Sequence, residues 1–317
     1  MNNLQEIAAL IREANDKGLK IKANDVDGFS GEKLIGVLQR IAKYQLDKGR
    51  GGYLEVGVFR GLTLVSVAKS ISSTSGIAYG IDNFAFFDKD NKNKNIVNKR
   101  VKSNSLNNVV LINKDYEDAL ECLPDYIGKQ KIGTYFIDGP HDYRSQLVCL
   151  ELIKPSLSDK AVIVIDDCNY RHVRLANRDF LVHNPEFKLL FEAYTSCHPG
   201  NMTNTEHKEA RKGFWNGVNI IVHDPEDLLD REYPDVIRTR SLYENDHIVH
   251  SSKFGVLAPY AVGFISRVLS FKIYPALKSM YTLIKHAFII NKKIKGEYSE
   301  MNTFSGNLKK FSLNKKV

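Results

Sequence analysis

Four aspartates follow short apolar runs, and their placement is the feature of this sequence that most suggests chemistry. Asp82, Asp138 and the pair Asp166 and Asp167 each come directly after a short run rich in β-branched residues. Runs of this kind predict buried parallel strands. Because ligands bind beyond the carboxyl ends of such strands, we expect these carboxylates to face one crevice.

Three of these carboxylates are candidate metal ligands. Asp138, Asp166 and Asp167 lie at the ends of two strands joined by one predicted helix, so they can be neighbours in space. Converging carboxylates repel one another unless a proton or a cation neutralises them. Hard oxygen ligands favour Mg²⁺, Ca²⁺ or Mn²⁺. The alternative is structural: Asp167 caps a helix, and Asp138 binds backbone amides in its own turn.

Two histidines near these aspartates are candidate general bases. His141 stands three residues after Asp138, and His172 stands five residues after Asp167. Histidine titrates in the range needed to remove a proton from a hydroxyl group. We therefore take His141, His172 and Asp138 as the catalytic candidates, while each histidine could also be a bystander in a loop.

A glycine turn follows the first predicted strand. Gly57 and Gly61 would let the backbone approach a ligand closely. A dinucleotide site would carry further glycines, but Phe59 and Leu62 stand in their places, so the phosphate cradle is missing. Glu55, two residues before the first glycine, suits a cationic ligand. The alternative is a plain turn beside a solvated Glu55.

Two more aspartates could bind a nucleoside. Asp82 stands at the distance from the glycine turn where an acidic side chain meets ribose hydroxyls in such folds. A carboxylate can accept two hydrogen bonds from neighbouring hydroxyls. Asp115, after the third strand, could reach an adenine edge. Either residue could instead be a helix N-cap.

The chain divides into four predicted segments. Residues 1–50 form an N-terminal helical cap, with helices at 4–14 and 32–46. Residues 51–223 form an α/β domain with strands at 53–57, 77–81, 109–112, 133–137 and 161–165, and with 218–222 as a late edge strand. Residues 224–290 combine a loop with amphipathic helices, and residues 291–317 form a basic, mobile tail.

The composition limits the partners and the cellular compartment that we expect for this chain. The net charge of +8 is largely concentrated in the tail, which favours neither a nucleic-acid partner nor a charged catalytic body. Four cysteines form no C-x-x-C pair, so a reducing cytoplasm fits best. We find neither an apolar signal segment nor about 20 uninterrupted apolar residues. The sequence leaves open whether the chain forms a homo-oligomer.

Four motifs carry a family resemblance, which covers about residues 52–222. The sequence resembles the class I S-adenosylmethionine-dependent methyltransferases, and most closely the branch with macrocin-type sugar O-methyltransferases. The matching segments are 53–61, 79–82, Phe-Ile-Asp-Gly-Pro-His-Asp-Tyr at 136–143 and Val-Ile-Val-Ile-Asp-Asp at 162–167.

The resemblance implies a Rossmann-like, doubly wound and mostly parallel sheet, with the amphipathic helices as a C-terminal extension. It implies an O-methyltransferase that acts on a hydroxyl of a sugar or glycosylated metabolite, including glycans. S-adenosylmethionine would be bound by Glu55, Gly57, Asp82 and Asp115, with Gly61 completing the turn. Magnesium would be bound by Asp138, Asp166 and Asp167. Some family members place a histidine nearer the aspartate pair than His172 stands here, so both histidines stay candidates for the base.

Two rival interpretations remain. A nicotinamide-dependent oxidoreductase could use a similar sheet, although the missing glycine pattern argues against it. Alternatively, a non-catalytic protein at the membrane periphery could keep this fold. The apolar segment 254–290 and the Lys-rich tail motivate that second rival, and they would also suit an active enzyme at the inner face of the membrane. The same segment could equally be a helical pair packed on the core or on a partner subunit.

Overall fold

A computed structural model describes residues 2–236 except 86, 89 and 91, then 257–302 and 308–317. The described residues fall into two compact units. The main unit contains residues 2–236 and 308–317, and the second unit contains residues 257–302. Part of the predicted loop, 237–256, and part of the predicted tail, 303–307, lie outside the described residues.

The main unit is built on one eight-stranded sheet. In chain order its strands are β1 Gly52–Val56, β2 Ala78–Ile81, β3 Val109–Ile112, β4 Ile132–Ile137, β5 Leu157–Ile165, β6 Phe187–Ala193, β7 Val218–His223 and β8 Ser312–Leu313. Their order across the sheet is β3-β2-β1-β4-β5-β7-β6-β8. The first five strands pair in parallel, and β7 runs antiparallel to both of its neighbours. This is the predicted Rossmann-like, doubly wound sheet, whose strand order reverses between β1 and β4.

Nine helices of the described main unit flank the sheet or join its strands. They are α1 Asn3–Lys17, α2 Glu32–Asp47, α3 Leu62–Ser70, α4 Asn93–Ser103, α5 Tyr116–Glu121, α6 Pro124–Ile127, α7 Tyr143–Ile153, α8 Arg171–His183 and α9 Asn204–Lys212. The second unit contains α10 Ala258–Leu269 and α11 Ile273–Asn302.

Side chains alternate between two buried layers, as the two-residue period of a strand requires. Tyr53 and Phe136 enter the layer under α1, α2 and α3, whereas Leu54 and Tyr135 enter the layer on the opposite face. The strands are buried on both faces, which explains why their sequences read as continuous apolar runs.

Two expectations are wrong. Residues 218–222 do not form an edge strand, because β6, which we did not predict, lies beyond β7. The end of the predicted tail is not free of the fold: β8 pairs with β6, and the Asn314 amide donates to the carbonyls of Leu189 and Asp230. These pairings satisfy backbone groups at what would otherwise be an open strand edge.

Candidate active site

The turn between β1 and α3 requires its glycines. Gly57 has φ +90°, and a Cβ there would lie 1.9 Å from the carbonyl oxygen of Asp138. Gly61 caps α3 in the left-handed conformation with φ +79°. Side chains rarely adopt such φ values, so the turn brings the backbone of β1 against the residue that ends β4. The switch point of the sheet is therefore closely packed.

Asp82 follows β2 and holds this turn in place. Its Oδ2 atom accepts from the backbone N–H groups of Val58, at 2.9 Å, and Phe59, at 2.7 Å. Its Oδ1 atom accepts from the Phe84 N–H at 2.7 Å. A carboxylate has about four acceptor positions, so these three bonds leave about one for a ligand hydroxyl. Asp82 therefore shapes the turn of residues 57–61, which we call the cofactor turn after its expected role, and keeps capacity for one further hydrogen bond.

Glu55 is fully buried beneath the turn rather than solvated. Its two carboxylate oxygens accept from Tyr53 Oη at 2.6 Å and from Thr63 Oγ1 at 3.1 Å. Burial raises the pKa of Glu55 to about 8, despite these hydrogen bonds. The alternative of a solvated Glu55 is wrong, and this side chain joins β1 to the first turn of α3.

Asp115 caps α5 and joins the loop after β3 to the loop after β2. One of its oxygens accepts from the Glu117 N–H at 3.0 Å, and the other accepts from the Asn83 amide at 3.3 Å. The N-cap alternative is thus correct, and it does not exclude ligand contact. Asp115 stands where β3 ends, and Asn83 stands where β2 ends.

Among the described residues, Asp138, His141 and Asp167 could hold a metal ion together. One donor atom from each lies within 4.8 Å of the others. His141 Nε2 lies 2.7 Å from Asp167 Oδ2, and the Asn216 amide donates to Asp167 Oδ1. Asp167 has φ +56°, a strained backbone conformation for a residue with a side chain. The ends of β4 and β5 therefore converge as predicted.

Asp166 lies beneath this cluster. Its side chain is buried, and Oδ1 accepts from the Asp167 N–H at 2.7 Å. Its Oδ2 atom finds no hydrogen-bond partner among the described residues. Burial and then the neighbouring carboxylates raise the pKa values of Asp138 and Asp166 well above the ordinary range. Such a set of crowded carboxylates suits a divalent cation.

In the pair of His141 and Asp167, the charge of the partner outweighs the effect of burial on each pKa. Burial alone would raise the pKa of Asp167, but the adjacent His141 and the Asn216 hydrogen bond hold that pKa below its usual value. Burial alone would lower the pKa of His141, but Asp167 raises it above the ordinary value. Each group therefore favours the charged form of the other.

Aromatic side chains border this pair. The Tyr170 ring stacks on His141 with centroids 5.4 Å apart, and its hydroxyl lies 2.7 Å from His198 Nε2. His198 was not among our predicted site residues, because it comes from the loop after β6 and no local spacing links it to Asp167. His172 lies in the first turn of α8 and is not part of the Asp138, His141 and Asp167 cluster.

A further aromatic group lies beside the cofactor turn. Phe29 stacks on Phe59 at 5.4 Å and on Trp215 at 6.2 Å between ring centroids. Phe59 and Trp215 both have positive φ, and Trp215 directly precedes the Asn216 that binds Asp167. Bulky residues held in this conformation cluster at functional sites. Phe29 is 60% exposed and Trp215 is 6% exposed, so Phe29 forms the open face of this group.

Comparison with known proteins gives one family match. Residues 54–168 match the family model Methyltransf_24, described as a methyltransferase domain. This range runs from β1 to the residue after Asp167, so it contains the cofactor turn and the acidic cluster. No curated protein matches the chain.

Solved structures show weaker likenesses. The O-methyltransferase from Bacillus cereus, in complex with S-adenosylhomocysteine, shares 17% identity over 70% of this chain and 90% of its own, with a TM-score of 0.46. The O-methyltransferase TomG from Streptomyces achromogenes, in complex with S-adenosylmethionine, shares 14% identity over 71% of this chain and 91% of its own, with a TM-score of 0.45. The Podospora anserina methyltransferase PaMTH1 shares 13% identity over 70% of this chain and 88% of its own, with a TM-score of 0.42. Likenesses this low do not indicate a shared substrate.

The family match favours a methyltransferase over the nicotinamide-dependent oxidoreductase considered above. The turn geometry agrees with that preference, because Asp82 accepts the N–H groups that a pyrophosphate would otherwise need. The chain therefore contains a methyltransferase domain over residues 54–168.

Proposed function

We propose that this methyltransferase transfers the methyl group to a hydroxyl oxygen of a sugar or glycosylated metabolite, assisted by a divalent metal ion. The observation that carries the proposal is the cluster of Asp138, His141 and Asp167, whose donor atoms lie within 4.8 Å of one another. It combines a candidate base with candidate metal ligands after β4 and β5, beside the cofactor turn that follows β1.

The cofactor would lie across the ends of β1, β2 and β3. Bound S-adenosylmethionine supplies a methyl group that is already activated on a positively charged sulfur. The chain contributes the close backbone approach at Gly57 and Gly61, the remaining acceptor position of Asp82 and the half-buried carboxylate of Asp115. Glu55 acts on the cofactor through the turn that it supports. Because the donor is activated, positioning accounts for much of the rate enhancement.

The acidic cluster has the donor set of a hard divalent cation. Asp138 and Asp167 offer carboxylate oxygens, and Asp166 Oδ2 is a buried oxygen without a hydrogen-bond partner among the described residues. Asp138, Asp166 and Asp167 would hold Mg²⁺ or Mn²⁺. When bound, such an ion lowers the pKa of a hydroxyl group that it ligates.

His141 is the base that the geometry supports best. Asp167 accepts from the Nε2 atom of His141, so Nδ1 is the nitrogen that can take a proton from the acceptor hydroxyl. Asp167 orients the ring in the way that a carboxylate orients a catalytic histidine in other enzymes. His172 is the less suitable base, because it lies outside the cluster.

The exposed Phe29 ring, which stacks on Phe59 and on the buried Trp215, supports a ring-shaped acceptor. Phe29, Phe59 and Trp215 lie between the cofactor turn and the residue that binds Asp167. Aromatic rings supply a large apolar contact area at small entropic cost, and a sugar ring has an apolar face of matching shape. The resemblance of the 136–143 and 162–167 segments to macrocin-type enzymes favours a sugar over other hydroxyl acceptors.

Methyl transfer from labelled S-adenosylmethionine to cell-extract glycans tests the proposal. We expect transfer that EDTA abolishes and Mg²⁺ or Mn²⁺ restores, and that Asp138→Asn removes. Asp159→Asn is the matched control, because this exposed aspartate lies on β5 near the end opposite Asp166. Transfer unaffected by EDTA would remove the metal from the proposal, and label found only on nitrogen or sulfur would remove the hydroxyl acceptor.

A second measurement separates the two roles that His141 could have. We expect His141→Gln to bind Mn²⁺ with the wild-type affinity while turnover falls, because the base is lost and the carboxylates remain. A large loss of Mn²⁺ affinity in this variant would instead make His141 a metal ligand and leave the base unassigned.

A further inference from the structure

The second unit exposes an unusually apolar surface. Twelve large apolar side chains of α10, α11 and the turn between them are more than a third exposed. They are Val262, Ile265, Val268, Leu269, Phe271, Ile273, Tyr274, Leu277, Met280, Tyr281, Ile284 and Phe288. Phe271 is 91% exposed and Tyr274 is 80% exposed. Soluble surfaces rarely carry contiguous apolar patches of this kind unless something binds there.

These side chains form a stripe rather than a scatter. On α11 the exposed positions 273, 274, 277, 280, 281, 284 and 288 recur at the spacing of one helix face. The opposite face pairs with α10: Ala276 is buried, the His286 ring stacks on Tyr260 at 4.4 Å, and Ser279 accepts a hydrogen bond from Arg267. The two helices therefore pack through one face of α11, and the exposed stripe is not needed to hold the pair together.

The charged residues beside the apolar stripe indicate what kind of surface binds it. From residue 257 to residue 296 the sequence contains no aspartate or glutamate. Arg267, Lys272, Lys278 and Lys285 are all exposed, and on a helical projection Lys278 and Lys285 fall along one edge of the α11 stripe. Long basic side chains at the edge of an apolar face can extend toward anionic headgroups while the face enters the acyl boundary.

We propose that the exposed face of α10 and α11 docks this enzyme on an anionic lipid bilayer, lying in the interface rather than crossing it. No helix among the described residues is long and apolar enough to span a bilayer. A second copy of the chain is a poorer occupant, because joining two such faces would bring together cations with no acidic partner in this segment. An anionic surface neutralises those cations and accepts the apolar stripe.

Vesicle sedimentation with the full chain tests the proposal. We expect binding to vesicles of phosphatidylcholine with phosphatidylglycerol, weaker binding as salt rises, and little binding to phosphatidylcholine alone. Each basic residue near such a surface contributes about fivefold in affinity, so Lys278→Gln with Lys285→Gln should weaken binding by about 25-fold. Lys208→Gln with Lys212→Gln on α9 is the matched control, since both lysines are exposed on the main unit.

A second variant tests the apolar face. Tyr281→Ser with Phe288→Ser should also reduce binding to anionic vesicles, while circular dichroism and methyl transfer to a soluble acceptor stay unchanged. The proposal is overturned if the wild-type chain binds neither vesicle, if both pairs bind as the wild type does, or if the α9 pair loses as much affinity. It is also overturned if light scattering shows a dimer that only the Tyr281 and Phe288 variant loses.

Discussion

Replacing Glu55 by glutamine tests how the cofactor turn is stabilised. Glu55 is fully buried, and burial raises its pKa from 4.5 to about 8. An acid whose pKa is raised by folding binds its proton more tightly in the folded chain than in the unfolded chain. Stability is then highest below pH 4.5, falls as the pH rises to about 8, and stays low above that value. Glutamine does not titrate, so the variant should lose this dependence.

The magnitude follows from the two pKa values. Each pKa unit corresponds to about 1.4 kcal/mol, so an ionisable Glu55 costs the folded state about 3 kcal/mol at pH 7 relative to a neutral side chain. Glutamine resembles the protonated acid, because its NH₂ group can donate to one of the hydroxyls of Tyr53 and Thr63 as the carboxyl O–H does. A poorer fit of the NH₂ group costs about 1–3 kcal/mol at every pH. This pH-independent cost can mask the higher stability of the variant at a single pH, but it cannot remove the change of the stability difference with pH.

The assay is urea unfolding at pH 5, 6, 7 and 8, with EDTA present and no cofactor added. Between pH 5 and pH 8 the free energy of unfolding of the variant should rise by about 3 kcal/mol relative to the wild type. Glu121→Gln is the control, because Glu121 is an exposed residue at the end of α5. If the difference between variant and wild type stays constant across this range, then Glu55 does not titrate there, and our account of the turn is wrong.

Further predictions concern the turn and the acidic cluster. Gly57→Ala should destabilise the chain by about 3 kcal/mol or more, because φ is +90° and a Cβ would meet the Asp138 carbonyl oxygen; urea unfolding measures this, and an unchanged midpoint would contradict it. Asp82→Asn should weaken S-adenosylhomocysteine binding about tenfold or more by setting an amide against backbone N–H donors, as calorimetry would show. His141→Gln should lower kcat by about 10²–10⁴-fold at saturating substrate. Asp138→Asn should raise the melting temperature in EDTA, since burial and neighbouring carboxylates disfavour its charge; a lower value would refute that repulsion.

The sheet was largely predictable because its strands are continuous apolar runs that end in aspartates. The alternation predicted the first five strands in chain order, and the structure places Asp82 and Asp138 directly after β2 and β4. Strand β6 was missed because Lys188 and Glu192 interrupt its apolar pattern. Both side chains are nevertheless buried, since Lys188 pairs with Asp227 and Glu192 pairs with Lys309. Partners so distant in sequence give no local signal, and without β6 the strand at 218–222 was taken for an edge.

The residues of the candidate site were predictable only where they directly follow a strand. The spacing after β4 connected His141 with Asp138, and the spacing after β5 supplied Asp167. Asn216 and His198 come from loops around β6 and β7, so their approach depends on the antiparallel half of the sheet. The sequence carries no motif for that approach. The sequence therefore predicts the site residues that follow β4 and β5, whereas the residues from the later loops can be identified only from the tertiary structure.

The adjacent aspartates after β5 show why residue type alone does not assign a role. Asp166 still follows the strand geometry, so its carboxylate is directed into the protein and keeps one oxygen without a partner among the described residues. Asp167 leaves the strand through a left-handed φ of +56°, which turns its carboxylate toward His141. This strain is maintained by the Asn216 hydrogen bond and by the bond from the Asp167 N–H to Asp166. The two carboxylates thus differ in their contacts because the backbone between them changes conformation. A variant that relaxed this conformation would separate Asp167 from His141 without replacing either side chain.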